Sequence, residues 1–193
     1  MLLYHGTISS GADNIIKNGI SLSKGKLKVD FGQGFYTTPS LEFAKSTAVN
    51  KANKTNSYMR AEHVKPYVLT YEFNELAANN TCNILSFTET DLDWTQFIIN
   101  NRNGNDYVSH IGSDFHNIAH RYDIVKGAIA DKDIVLLARL LNDTNKKATI
   151  ENIKNIIYHY DTQQISFHTY KSLSYLKLTS CDIIKKKGDV LNE

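Results

Sequence analysis

The chain has 193 residues, with 22 basic and 20 acidic side chains, a formal net charge of +2 and 41% hydrophobic residues. This length and composition predict one globular domain over 1–193 and exclude a disordered chain. The near-neutral charge gives no evidence for nucleic-acid binding by bulk charge, although a local patch would suffice. No apolar run approaches the ~20 residues of a membrane span, so no membrane partner is expected. Two cysteines and the absence of a signal peptide favour a cytoplasmic location.

Hydrophobic patterning predicts short strands and helices along the whole chain. Strands are expected at 2–5, 35–37, 67–73, 82–87, 122–130, 164–168 and 178–184. Helices are expected from a cap at Ser9 or Ser10 to Lys17, from Thr38-Pro39 onward, and over 88–101, 134–141, 150–157 and 169–176. Loops are expected at 24–34 and 100–113, and a frayed tail at 185–193. Because the strands and helices follow no regular βαβ rhythm, the fold class predicted is α+β.

Three short segments carry residue types that are useful for chemistry: LYHGT at 3–7, DFGQGFYTT at 30–38 and QISFHT at 164–169. The first delivers a histidine and a glycine from a strand. The second has two glycines, which let the backbone approach a ligand closely, followed by aromatics. Strand alternation in the third places Gln164 and His168 on one face. Each segment alone also fits a structural role, so it is their order and combination that indicate a function.

Together the three segments resemble the ADP-ribosyltransferase fold, whose members cleave NAD and pass ADP-ribose to an acceptor. More narrowly, the chain resembles the small bacterial DUF3990 group, placed near the poly-ADP-ribose-polymerase and diphtheria-toxin branch with its histidine, tyrosine and glutamate or glutamine. The resemblance runs nearly end to end and includes WTQFIINNR at 94–102 and YDIVKGAIAD at 122–131. It implies an α+β domain with a split antiparallel β-sheet core, surrounding helices and an NAD cleft.

The resemblance also implies roles for individual residues, with NAD as co-substrate and His5, Tyr36 and Gln164 as the catalytic set. Gly6 would bind the nicotinamide carboxamide through its backbone, His5 a ribose hydroxyl, and the Tyr36 ring would stack on nicotinamide. Phe31 or Phe35 would close the other side of that ring. The residues implied to bind NAD are His5, Gly6, Thr7, Gly34, Phe35, Tyr36 and Arg102.

Gln164 stands where many relatives carry a glutamate. A glutamine accepts a hydrogen bond from a hydroxyl but brings no charge and cannot act as a base. Either the nucleophile needs little activation, or another group, His168 or Asp131, supplies it. The difference favours transfer of a single ADP-ribose over formation of chains, and it keeps a non-catalytic NAD-binding module as an alternative.

Other charged residues allow two interpretations each. The lysines at 24–28 either neutralise the NAD pyrophosphate or a nucleic-acid backbone, or are solvated loop residues. Arg102 either clamps a phosphate or caps its own helix. His116 and His120 are four residues apart, but no acidic residue follows His116, so no metal site is expected.

The function expected from the resemblance is mono-ADP-ribosylation of a macromolecule, protein or RNA or DNA, in a bacterial cytosol. Small transferases of this kind are commonly toxins of toxin–antitoxin or phage-defence systems, so an antitoxin protein is an expected partner by analogy. The alternatives are an NAD- or ADP-ribose-binding module without turnover, and an NAD-dependent RNA 2′-phosphotransferase, which would need a more basic phosphate pocket.

Overall fold

The computed structural model of the chain describes residues 1–58, 63–130, 132–142 and 162–185. A short 3₁₀ helix lies at Leu22–Lys24. The strands and α-helices in chain order are β1 (Leu2–Ile8), α1 (Ser9–Asn18), β2 (Phe35–Thr37), α2 (Leu41–Asn56), β3 (Pro66–Phe73), α3 (Glu75–Asn79), β4 (Ile84–Ser86), α4 (Leu92–Asn103), α5 (Asn105–Ile111), β5 (Ile124–Ala128), α6 (Lys132–Asn142), β6 (Gln163–Phe167), α7 (Tyr170–Leu173) and β7 (Leu176–Ile183). The helix expected over 150–157 and most of the predicted tail lie outside the described residues.

The described elements comprise two mostly antiparallel sheets and seven α-helices, which confirms the α+β class. One sheet has the order β1-β3-β7, with both pairs antiparallel. The other has the order β2-β6-β5-β4, in which β5 is antiparallel to β6 and parallel to β4. None of the described helices is long and apolar enough to cross a membrane.

The chain divides into two compact units, each built from separate stretches of sequence. The first consists of Met1–Ile20, Thr37–Asn74 and Leu176–Glu193, and the second of Ser21–Tyr36 and Glu75–Tyr175. The first unit therefore contains the β1-β3-β7 sheet with α1 and α2. The single domain expected over 1–193 stays a prediction.

The first unit packs α2 against its sheet through small side chains. Ala44, Ala48 and Ala52 of α2 are buried, and the first two share a cluster with Val68 of β3. Gly6 of β1 lies against the same helix, where an added Cβ would be 2.1 Å from the Ala44 carbonyl oxygen. Gly6 therefore has a packing reason to be glycine, because any side chain would collide with the helix backbone.

The core of the second unit is a cluster of large apolar side chains from α4, β5 and the loop before β2. Phe31, Trp94, Phe97 and Val125 are all fully buried within it. The Trp94 indole N–H, which needs a partner once buried, donates to the Ala128 carbonyl at 3.2 Å. This packing fixes one end of the loop that carries DFGQGFY.

The expected start of α2 at Thr38-Pro39 is wrong, because strand pairing holds the chain extended at this point. Thr38 exchanges two backbone hydrogen bonds with Tyr4, at 2.8 and 3.0 Å. The helix begins at Leu41 instead, with Ser40 as its N-cap.

Two further expectations are wrong. Neither Ser9 nor Ser10 caps α1, because the Ser9 N–H donates to the Lys65 carbonyl at 2.8 Å and extends the pairing of β1 with β3. The stretch 100–113 is not a loop, since α4 and α5 pass through it with only Gly104 between them. Two asparagines of this polar stretch, Asn100 and Asn101, are buried on α4 and form hydrogen bonds with residues 113, 115 and 117.

We expect Gly6→Ala to destabilise the protein by about 2 kcal/mol or more, because the methyl group would force β1 away from α2. Chemical denaturation of the variant and the wild type measures the difference. Ser10→Ala, at an exposed position of α1, is the control and should change the unfolding free energy by less than about 0.5 kcal/mol. Equal stability of Gly6→Ala and wild type would contradict the close approach.

Candidate functional site

The residues predicted to form the site are distributed over both units. His5, Gly6 and Thr7 lie on β1 in the first unit. The others lie in the second unit, and they are Gly34, Phe35, Tyr36, Arg102 and Gln164. The convergence of the two groups on one cleft stays a prediction.

On β1, the polar backbone groups of Gly6 face away from β3. Tyr4 directs both its N–H and its C=O to Thr38 rather than to β3. These directions repeat every second residue of an antiparallel strand, so the Gly6 N–H and C=O point to the same side as those of Tyr4. The Gly6 carbonyl there accepts a hydrogen bond from Lys51 Nζ at 2.7 Å. A ligand that binds the Gly6 backbone would approach from this side.

The side chains of His5 and Thr7 lie on the sheet face opposite to α2, because Gly6 between them faces that helix. His5 is half-buried and Thr7 is buried. Their roles toward NAD stay predictions.

In the second unit, the loop over 30–36 is closed by its own last residue. The Tyr36 hydroxyl accepts a hydrogen bond from the Phe31 N–H at 3.0 Å and donates one to the Gly32 carbonyl at 2.6 Å. Burial, and secondarily the charge of Asp30, raise the pKa of Tyr36 well above its ordinary value, so the phenol stays protonated. The side chain as a whole is half-buried. The predicted stacking would use the ring, whereas the hydroxyl holds the loop.

His168, directly after β6, holds the same loop from the other side. Its Nδ1 lies 2.8 Å from the Gln33 carbonyl, which can only accept, so Nδ1 carries the proton. Its Nε2 then accepts from the Ser166 hydroxyl at 2.8 Å. Burial is the largest cause that lowers the pKa of His168, to about 4, so the ring is neutral at pH 7. Both nitrogens are engaged, which makes His168 a support of the loop rather than a base; Asp131 lies outside the described residues.

The residues around Tyr36 pack inward. Gly34 approaches β6 so closely that an added Cβ would lie 2.7 Å from both the Phe167 carbonyl oxygen and His168 Nδ1. Phe35 is buried, and Phe31 is fully buried in the core cluster. Phe31 is therefore a core side chain, whereas the NAD-binding roles of Gly34 and Phe35 stay predictions.

Asp30 joins Arg102 and Gln164 in one hydrogen-bonded cluster. Arg102 Nε donates to Asp30 Oδ1 at 2.8 Å, and Arg102 Nη2 forms an ion pair with the same oxygen. Asp30 Oδ2 accepts from Gln164 Nε2 at 2.9 Å and from the Ala130 N–H at 3.4 Å. The Asp30 side chain is 8% exposed and that of Arg102 is 21% exposed. Water therefore screens this charge pair weakly, and its hydrogen bonds are of the stronger, charge-assisted kind.

Asp30 also determines which end of the Gln164 amide faces outward from the cluster. Gln164 Nε2 lies 2.9 Å from Asp30 Oδ2 and 3.4 Å from the Ala128 carbonyl oxygen. Both of these oxygens only accept, so the amide must turn its NH₂ toward them and its Oε1 away. No donor among the described residues reaches this Oε1. The cluster thus presents an uncharged acceptor, which is the property that Gln164 needs to bind a hydroxyl.

The contribution of Asp30 to this cluster was not predicted, although Asp30 is the first residue of the segment DFGQGFYTT. Arg102 was expected to clamp a phosphate or to cap its helix, but it binds Asp30 and none of the helix carbonyls, and α4 ends at a Gly104 C-cap. A carboxylate that is buried generally needs a partner of opposite charge. Their separation of 72 positions hides the pairing from local patterns, and phosphate binding by Arg102 stays a prediction.

His116 and His120 lie in the stretch between α5 and β5 and do not share a helix face. Within the described ranges, no group of three or more His, Cys, Asp or Glu side chains is arranged to hold a metal ion.

The chain matches the family model described as "Protein of unknown function (DUF3990)" over residues 1–178. The match covers most of the 193 residues, so the chain belongs to this family, as the narrower resemblance indicated. No curated protein and no solved structure matches the chain.

We expect Tyr36→Phe to lower the unfolding free energy by about 2 kcal/mol, because it leaves the Phe31 N–H and the Gly32 carbonyl without their partner. Denaturant titration measures the loss. The exposed Tyr58 provides the matched control, since Tyr58→Phe removes a hydroxyl from solvent and should change little. An unchanged stability of Tyr36→Phe would show that the hydroxyl does not close the loop.

The pKa of about 4 for His168 predicts a loss of stability in acid. The unfolded imidazole, with its ordinary pKa of 6.5, binds a proton before the folded one does. Stability contributed by the neutral ring is therefore complete above pH 6.5 and is lost as the pH falls toward 4, by up to about 3 kcal/mol. His168→Asn should reduce the pH dependence of the unfolding free energy between these limits, whereas His110→Asn, at an exposed position, should leave it unchanged. If the unfolding free energies of His168→Asn and wild type depended on pH in the same way, the lowered pKa of His168 would be contradicted.

Proposed function

We propose that the protein is a mono-ADP-ribosyltransferase that cleaves NAD and transfers ADP-ribose to a macromolecular acceptor, on an ADP-ribosyltransferase core with an NAD cleft. The observation that carries the proposal is the orientation of the buried Gln164 amide. Its Nε2 donates to the Asp30 carboxylate, and its Oε1 has no donor among the described residues. The order histidine, tyrosine and glutamine along the chain supports it, since these residues match the site pattern of that branch.

In this reaction the bond between nicotinamide and ribose C1′ breaks, and nicotinamide leaves with the bonding electrons. Positive charge develops on the sugar, and a nucleophile of the acceptor attacks C1′ and releases its proton to water. The Gly6 backbone would hold the carboxamide, the Tyr36 ring would pack on the nicotinamide, and Gln164 Oε1 would accept from a ribose hydroxyl. Interactions that strengthen as charge develops lower the barrier, and the hydrogen bond from Gln164 to Asp30 would make Oε1 a stronger acceptor for this contact.

The proposed acceptor is a protein, RNA or DNA in the cytoplasm of a bacterium, and the proposed biological role is that of a toxin held by an antitoxin or used in phage defence. The lysines of 24–28 are exposed just before the loop that carries Asp30 and Tyr36. Their charge would attract a nucleic-acid backbone or the pyrophosphate of NAD. The engagement of Arg102 by Asp30 leaves less positive charge for an RNA 2′-phosphate, which argues against the phosphotransferase.

The absence of a charge on Gln164 favours a second candidate, a module that binds NAD or ADP-ribose without turnover. Glutamine can hold the ribose, but it cannot act as a base. The two candidates differ in one measurable product, free nicotinamide.

We expect wild-type protein to release nicotinamide from NAD, as measured by chromatography, and to transfer label from NAD to a lysate fraction. Gln164→Ala should slow release about 10²-fold, because it removes a contact that strengthens in the transition state. Gln163→Ala, the exposed neighbour on β6, is the matched control and should retain activity. Tyr36→Ala should abolish release, and comparison with Tyr36→Phe separates the contribution of the ring from that of the hydroxyl contacts within the loop.

Digestion of the labelled fraction with protease or with nuclease identifies the class of acceptor. Binding of NAD by calorimetry without release in any lysate would show that the module is correct and the transferase wrong. No binding and no release would refute both.

A further inference from the structure

The geometry points to Asp30 as the positioning residue that turns the Gln164 acceptor outward, so that an amide and not a carboxylate is required at position 164. This inference rests on the proposed function only for what the acceptor binds. The proposal means that Asp30, which is itself paired with Arg102, orients and polarises the amide that would touch the ribose.

The first support is that the cluster has only one consistent arrangement of donors and acceptors. The Arg102 guanidinium has only hydrogen-bond donors, and its Nε donates to Asp30 Oδ1 at 2.8 Å. This leaves Asp30 Oδ2 as an acceptor toward Gln164 Nε2 at 2.9 Å. The NH₂ group of Gln164 fits this position, whereas a glutamate would bring a second carboxylate against the first.

The second support is the burial of the cluster. Gln164 and Asp30 are both buried, so few water molecules can compensate an unfavourable pair of charges. A hydrogen bond from an amide N–H to a carboxylate polarises the amide, which makes its oxygen a better acceptor. Asp30 therefore orients Oε1 and increases its negative partial charge without placing a full charge beside the sugar.

The substitution Asp30→Asn tests the orientation of the Gln164 amide while it leaves the packing at position 30 nearly unchanged. The introduced side chain has nearly the same shape as aspartate, and Arg102 requires its oxygen, so its NH₂ group would face Gln164. Two NH₂ groups repel, and the Gln164 amide is expected to turn over and present its own NH₂ outward. A glutamate at position 164 would restore the donor–acceptor pairing with position 30. One of its oxygens would accept from the introduced NH₂ group, and the other would point away from the cluster as Oε1 of Gln164 does.

Around position 164, Asp30 and Tyr36 lie on the loop, Arg102 on α4, His168 after β6, and Lys126, which is paired with Glu75, on β5. Of these, Asp30 is the group in contact with Gln164, and the two rings are neutral at pH 7. In Gln164→Glu, the two adjacent carboxylates would raise the pKa of the new carboxyl.

The test is a stability cycle made without NAD, using Asp30→Asn, Gln164→Glu and the double variant. Gln164→Glu should lower the melting temperature by roughly 5 °C at pH 8. The loss should be smaller at pH 5, because the introduced carboxyl is protonated, and therefore uncharged beside Asp30, only at pH values below its raised pKa. The double variant should recover most of the loss at pH 8. Additive effects of the two substitutions, or a loss for Gln164→Glu that does not depend on pH, would overturn the proposal. Asp106→Asn, exposed on α5, combined with Gln164→Glu is the control and should give no recovery.

Nicotinamide release provides the second readout. Asp30→Asn should lower kcat about 10²-fold with little change in KM, as Gln164→Ala does, and Asp30→Asn with Gln164→Glu should regain at least tenfold. A full kcat in Asp30→Asn would overturn the positioning role. If wild type itself releases no nicotinamide, the transferase is refuted, and the stability cycle still decides whether Asp30 orients the amide.

Discussion

The carboxylate of Asp30 determines the arrangement of the second unit around its polar centre. One oxygen is bound by Arg102 and the other by Gln164 and the Ala130 N–H. These partners come from α4, from β6 and from the segment after β5, which are distant in sequence and meet at a single buried charge. A buried carboxylate without such partners would be strongly unfavourable, so the fold is stable only when these three elements meet at the charge.

The loop that carries Asp30 is held by contacts that complement one another. Tyr36 closes the loop on its own backbone, and His168 binds the Gln33 carbonyl. The close approach of Gly34 to β6 leaves room for nothing larger than hydrogen. In the first unit, Gly6 has a comparable position against α2, where strand and helix backbones nearly touch. In both units a glycine beside a candidate site residue is explained by packing, and ligand binding by the same backbone stays a prediction.

Much of this organisation could be predicted from the sequence. Apolar patterning located β2 at 35–37 and nearly all of β3, and the class α+β follows from the order of the strands and helices. The helix starts were predicted less well, because Thr38 and Ser9 are held by strand pairing that no local pattern reveals. The candidate residues Tyr36 and Gln164 came from the family resemblance, whereas the contribution of Asp30 depends on contacts 72 and 134 positions away. Local propensity describes what a segment prefers alone, and such long-range contacts are decided only when the chain has folded.

The closure of the loop by Tyr36 has a consequence for the thermodynamics of ligand binding. A phenol that both donates to Gly32 and accepts from Phe31 has no free rotation left about its side-chain bonds. An aromatic surface that is already immobile loses little rotational entropy when a planar ring settles on it, so more of the contact enthalpy appears as affinity. The conformational entropy of this side chain is lost during folding and not on binding.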